Sequence, residues 1–140
     1  KIDLEEKYRI TRLGFEDILS TCDYVSLHVP LRPETEQMIR DRELAMMQKE
    51  SFLINMSRGP TVDLDALNSA LVTGQIAGAA IDVTDPEPVP VDHPIVNNEN
   101  VVITPHIGSA SRATFTAMGV AAANNIVAAL QDKPIPSAVN

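Results

Sequence analysis

The chain has 140 residues and a formal net charge of −8; 44% are hydrophobic but only 4% aromatic, so its core must be built from Val, Ile, Leu, Ala and Met. That length suits one domain, and the acidic balance argues against nucleic acid, whose phosphates want a basic face. A single cysteine, Cys22, excludes an intrachain disulfide and leans towards a reducing, cytoplasmic setting.

The opening "KIDLEEKYR" has no signal-peptide pattern. Tyr8–Thr11 reads as a short strand and Phe15–Thr21 as a short helix. "DYVSLHV" (Asp23–Val29) is a strand stopped by Pro30. Arg42–Lys49 is helical in pattern, with Leu44, Met46 and Met47 facing inward, and "SFLINM" (Ser51–Met56) is a compact apolar strand. Asp63 is an N-cap for a helix over Leu64–Val72, which Gly74 terminates. "IAGAAIDV" (Ile76–Val83) is a third strand. The proline-rich "TDPEPVPVDHP" is too poor in amide donors for a central strand or a helix. "VVIT" (Val101–Thr104) is a fourth strand. A long helix over Arg112–Leu130 follows, with Phe115, Met118, Ala122, Ile126 and Ala129 along one stripe. Within it the apolar run Val120–Leu130 is broken by Asn124 and Asn125, so no run is expected to span a membrane.

Strands alternating with helices imply the α/β class: an open parallel sheet, its strands apolar throughout as though both faces were covered. No linker divides the chain, so one domain is expected. In such sheets ligands sit beyond the carboxyl ends of the strands. Those ends carry His28-Val29-Pro30, then Asn55 to Gly59, then Asp82, then Pro105 to Ser109. A cation, a carboxylate and an imidazole are thus expected on one rim.

"INMSRGPTVDLDALNSALVTGQIAGAAIDV", "DPEP" and "TPHIGSAS", in that order and spacing, resemble the C-terminal half of the cofactor domain of the D-isomer-specific 2-hydroxyacid dehydrogenases. The match runs from "DYVSLHVPLRPET" to "PIPSAVN", and "HIGSA" with "DVTDPEPVPVDHP" is most similar to the glyoxylate/hydroxypyruvate reductase branch. The resemblance implies the second half of a doubly wound, Rossmann-like sheet, residues 1–140 being the C-terminal part of a dinucleotide-binding domain.

By matching position, the resemblance makes Arg58 the residue that binds the carboxylate and carbonyl oxygen of a 2-oxo acid. A guanidinium makes a forked pair of charge-assisted bonds that lysine cannot copy. An isolated arginine after a strand is otherwise a solvated loop residue. His106 matches the residue that protonates the carbonyl oxygen, a step typically worth about 10²–10⁴-fold. Glu87 of "DPEP" matches the carboxylate paired with that histidine, where a nearby anion stabilises imidazolium and orients the ring. His28 and His93 read as structural. The implied cofactor contacts are Val29 and Pro30 on the adenosine side, then Met56, Ser57 and Arg58 with His106 on the nicotinamide side. Asp82 would accept a bond from the carboxamide or ribose, and Gly108 and Ser109 precede a helix whose free amides can approach the ligand. For Val29, Pro30 and Met56, packing and turn formation is nearly as strong an alternative. No metal site is assigned.

The six glycines, Gly14, Gly59, Gly74, Gly78, Gly108 and Gly119, form no G-x-G-x-x-G. The phosphate-binding turn and the residue separating NAD from NADP are therefore expected before Lys1, with the substrate domain also outside the chain. The implied function is hydride transfer between NAD(P)H and a small 2-oxo acid such as glyoxylate or hydroxypyruvate, with NADP placed ahead of NAD by the branch resemblance. The whole protein is expected to be a cytoplasmic homodimer without nucleic-acid or membrane partners; these 140 residues alone are expected to be inactive. The alternative is a non-enzymatic NAD(H)-sensing regulator of the same fold. Formate dehydrogenase is disfavoured, because Glu87 stands where that branch is expected to carry an amide.

Overall fold

Four short strands, β1 (Tyr24–Leu27), β2 (Phe52–Asn55), β3 (Gly78–Ile81) and β4 (Val101–Ile103), pair in parallel in the order β1-β2-β3-β4. In the register Leu27 lies beside Asn55, Asn55 beside Ile81 and Ile81 beside Ile103, so the carboxyl ends form one row. Each strand is shorter than its apolar run. The ladder nonetheless continues one residue further through Met56 N to Leu27 O (3.3 Å), Asp82 N to Asn55 O (3.0 Å) and Thr104 N to Ile81 O (3.0 Å).

The computed structural model describes residues 4–138 and divides into two units, Lys1–Pro105 and His106–Asn140. In the first, α2 (Phe15–Thr21), α3 (Asp41–Met46) and α4 (Leu64–Thr73) supply Leu19, Leu44, Leu67 and Leu71 to a buried cluster with Val25 and Leu53 of the sheet. The α2 bounds are those the sequence predicts. In α4, Asp63 Oδ1 accepts from Ala66 N at 3.0 Å, closing one of the orphan amides of the first turn. Gly74 ends the helix at φ 67°, a conformation that disfavours residues with a Cβ. Burying a leucine such as Leu67 stabilises by about 2 kcal/mol, so this helix face fixes α4 against the sheet.

Three expectations need correction. Tyr8–Thr11 is no strand; Leu4–Tyr8 is a short helix, α1. Glu5 and Glu6 in its first turn and Lys7 in its last complement the helix dipole, and Arg9 at φ 52° ends it. Nor are both sheet faces covered within the first unit: burial alternates along β1 and β2, leaving Tyr24, Phe52 and Val102 exposed. Apolar residues on the open face hide this period-2 pattern from the sequence. Tyr24 stacks on Phe52 with ring centroids 5.4 Å apart.

In the second unit, α5 (Arg112–Leu130) has the predicted bounds but buries none of its residues. Phe115, Met118 and Ile126 of the expected inward stripe are exposed, like Val120 and Leu130. Apolar residues surround this helix, so periodicity selects no face. By length and composition α5 is also long and apolar enough to cross a bilayer, contrary to the reading of Val120–Leu130. Asn124 and Asn125 are uncharged, and no charged residue falls between Arg112 and Asp132. Core helices of water-soluble proteins meet the same two criteria.

Candidate active site

Within the first unit, the row of strand ends places the predicted segments His28 to Pro30, Asn55 to Gly59 and Asp82 in order. After β1, the His28 ring nitrogen Nε2 and Ser26 Oγ lie 2.8 Å apart, a local bond that agrees with a structural role. Val29 is half-buried and Pro30 exposed; the Pro30 carbonyl accepts from Thr35 Oγ1 at 2.7 Å. After β3, Asp82 is 5% exposed, and Thr104 Oγ1 beyond β4 donates to its Oδ1 at 2.5 Å. A carboxylate this buried requires such partners, because an unpaired one would be costly.

After β2 the chain turns through a 3-10 segment, Gly59–Thr61, with Arg58 extended at φ −140° as its cap. Beneath it lies a cluster of buried polar side chains. Asn55 is 1% exposed and Thr61 0%. Asn55 Oδ1 accepts from Ser57 N (3.1 Å) and Ser57 Oγ (2.8 Å), while its Nδ2 donates to the Arg58 carbonyl at 3.1 Å. Thr61 Oγ1 donates to that same carbonyl at 2.6 Å. The Arg58 side chain is exposed, with Nη1 donating to Ser57 O at 2.7 Å. A solvated loop arginine needs no such foundation; here the backbone is fixed and the cation is left outside.

Gly59 ties this loop to the next one. A Cβ on it would lie 1.9 Å from the Thr84 carbonyl oxygen and 2.8 Å from Asp85 N, so only glycine admits the crossing. Glu87 follows two residues after Asp85, exposed among Pro86 and Pro88, and Thr84 Oγ1 donates to Pro86 O at 2.9 Å. The loop's far end is tied to α4: His93 Nε2 faces Asp65 Oδ1 at 3.2 Å, and its Nδ1 accepts from Ile95 N. That agrees with the structural reading of His93.

His106 opens the second unit with φ 55°, a left-handed conformation uncommon outside glycine but more accessible to histidine than to most residues. Ala110 N donates to Ile107 O and Ser111 N to Ser109 O, both at 2.9 Å. Gly108 and Ser109 therefore lie in a tight turn, and Ser111 Oγ caps Thr114 N at 3.1 Å. The structure thus brings Val29, Pro30, Met56, Ser57, Arg58, Asp82 and Glu87 to the carboxyl edge or its loops in the first unit, and places His106, Gly108 and Ser109 in the second.

Sequence reasoning did not single out Asn55, Gly59 or Thr61. The available signal was an amide at the last position of an apolar strand, where a polar group must find partners inside. An open apolar hollow of about 520 Å³ lies elsewhere, over Tyr24, Phe52, Gly78 and Val101, the first residues of the strands. Tyr24 and Glu99 are the titratable groups on its lining.

The sequence profile of the D-isomer specific 2-hydroxyacid dehydrogenase NAD binding domain matches residues 1–108. A glyoxylate reductase of Korarchaeum cryptofilum is 42% identical over 138 residues, covering 99% of this chain and 42% of that protein. The chain thus spans about two fifths of the length of the curated relatives it matches. Among solved structures, the NAD-complexed D-isomer specific 2-hydroxyacid dehydrogenase of Lactobacillus delbrueckii ssp. bulgaricus superposes with a TM-score of 0.89 at 32% identity, over 99% of this chain and 46% of that one. A dehydrogenase of the same class from Xanthobacter autotrophicus Py2, in complex with NADPH and MES, gives 0.78 at 34% identity, over 90% and 51%.

Proposed function

Because the chain belongs to the D-isomer-specific 2-hydroxyacid dehydrogenases through their NAD-binding domain, we propose that the whole protein reduces a small 2-oxo acid such as glyoxylate or hydroxypyruvate to the 2-hydroxy acid. The observation that carries this reading is Arg58: an exposed guanidinium on a backbone pinned from below, at the carboxyl end of a central parallel strand. Residues 1–140 are the C-terminal part of the dinucleotide-binding domain in this proposal. The whole protein acts in the cytoplasm as a homodimer, without nucleic-acid or membrane partners.

The residues present fit a dinucleotide. The edge of the first unit offers a buried carboxylate already oriented by a hydroxyl, Asp82 with Thr104, and the second unit has a tight turn at Gly108-Ser109 before a helix. Val29, Pro30, Met56 and Ser57 would complete the cradle. When bound, the nicotinamide supplies a hydride; NADP is placed ahead of NAD. Arg58 would hold the substrate carboxylate and carbonyl oxygen by a forked pair of charge-assisted bonds, presenting one face of the carbonyl carbon. His106 would deliver a proton to the carbonyl oxygen, with Glu87 orienting the ring and stabilising its charged form.

Steady-state reduction of glyoxylate by the whole protein, with NADH and with NADPH, tests the reading together with Arg58→Lys. The substitution should lower kcat/KM for glyoxylate by about one to two decades, the equivalent of roughly 1.5–3 kcal/mol for a charge-assisted bond, and leave cofactor affinity nearly intact. A parent protein that binds cofactor but turns over no 2-oxo acid would overturn the proposal. An Arg58→Lys variant with unchanged kcat/KM would remove Arg58 from it.

A further inference from the structure

We propose that Asn55 and Thr61 are positioning residues for Arg58, acting through its backbone rather than touching substrate; this rests on the reading of Arg58 as the substrate clamp. Three donors converge on the Arg58 carbonyl oxygen: Asn55 Nδ2 at 3.1 Å, Thr61 Oγ1 at 2.6 Å and Thr61 N at 3.2 Å. A carbonyl oxygen has two lone pairs, so its orientation is over-determined.

The other end of the Asn55 amide reaches the opposite flank of Arg58. Its Oδ1 accepts from both the amide and the hydroxyl of Ser57, so one side chain clips Ser57 N on one side of Arg58 and the Arg58 carbonyl on the other. With the backbone fixed on both flanks, the Cα–Cβ direction of Arg58 is fixed too. Burial makes the clip rigid. Asn55 and Thr61 are 1% and 0% exposed, so water cannot replace a lost bond and the full desolvation penalty falls on whichever group is left unpaired. Simple satisfaction of buried polar groups would not require two side chains to choose the same carbonyl, that of Arg58.

A misplacement of about 1 Å in a positioning group can cost about a hundredfold in rate. Loss of one of three donors is expected to cost about tenfold. The test is a double-mutant cycle in the whole protein: Thr61→Val, Thr61→Ser, Arg58→Lys and the Arg58→Lys/Thr61→Val pair. The readouts are kcat/KM for glyoxylate, cofactor dissociation constant and thermal midpoint. Thr61→Val should lower kcat/KM about tenfold with cofactor affinity unchanged, and Thr61→Ser, which restores the donor, should recover most of it. In the Arg58→Lys background Thr61→Val should have almost no further effect on kcat/KM, while lowering the thermal midpoint as much as in the parent. An equal drop in kcat/KM in both backgrounds, or an equal loss in the valine and serine variants, would overturn the positioning role. Arg58→Lys with parental kcat/KM would instead sink the clamp reading on which it rests. Should Thr61→Val yield no folded protein, Thr61→Ala makes the same comparison against Thr61→Ser.

Discussion

The loops after β2 and β3 leave neighbouring strands at the same edge, the first carrying Arg58 and the second Asp82 and Glu87. The first is held from beneath: Asn55, Ser57 and Thr61 are buried, bond to one another and to the backbone, and leave Arg58 outside. The second is more open. After buried Thr84, the run Asp85-Pro86-Glu87-Pro88 is exposed, and its prolines stiffen it, because their rings fix φ. A site can therefore be preorganised in two ways. Buried hydrogen bonds fix a backbone only where water is excluded, whereas ring constraint works in the open. The two loops meet where Gly59 lies against Thr84 and Asp85.

Substitution at that meeting point should have the largest effect. Gly59→Ala places a methyl 1.9 Å from the Thr84 carbonyl oxygen, and the obstacle is backbone that cannot swing aside as a side chain would. Both loops must shift, and one is pinned by the Asn55 cluster. We expect a loss of about 3 kcal/mol or more, the upper part of the range for overpacking, read by urea denaturation of the whole protein. A loss below about 1 kcal/mol would mean that the loops are not coupled through this contact.

Part of this arrangement is legible in the sequence. The bounds of α2 and α5, the Asp63 cap and the Gly74 stop follow from local chemistry, which is why the expectations match. The carboxyl-edge position of Arg58 and Asp82 follows from the alternation of strands and helices. What is not legible depends on contacts distant in sequence or on which way a side chain points. Gly59 meets Thr84 across the gap between two strands, and no local pattern announces it. Asn55 looks like any amide at a strand end until Thr61 and Ser57 are seen to fold back on it. The α5 stripe marks no direction, because apolar residues lie all round the helix, and Tyr8–Thr11 fails because a strand needs a neighbour that four residues alone do not supply.

A smaller effect is expected where the second loop begins. Thr84 is 7% exposed and its hydroxyl donates to Pro86 O. Thr84→Val keeps the shape and removes the donor, so the expected cost is about 1 kcal/mol. If proline alone stiffens the loop, the denaturation midpoint will not move; a fall of about 3 kcal/mol would show that this loop, too, is held from beneath.

The smallest effect on stability, and the sharpest contrast with Gly59, is expected at Glu87. Its side chain is exposed, and interactions of exposed charges contribute only about 0–1 kcal/mol. Glu87→Gln preserves size and removes the charge, so the denaturation midpoint of the whole protein should stay within about 1 kcal/mol of the parent. Its reductase activity should not. If Glu87 stabilises the protonated form of His106, the charge is required in the reacting complex, and kcat should fall by about tenfold or more. The two readouts are expected to separate here and to move together at Gly59, where loss of fold and loss of activity have one cause. Parental kcat in Glu87→Gln would remove Glu87 from the site, whereas a large loss of stability would show that its exposed loop is held by that carboxylate as well as by its prolines.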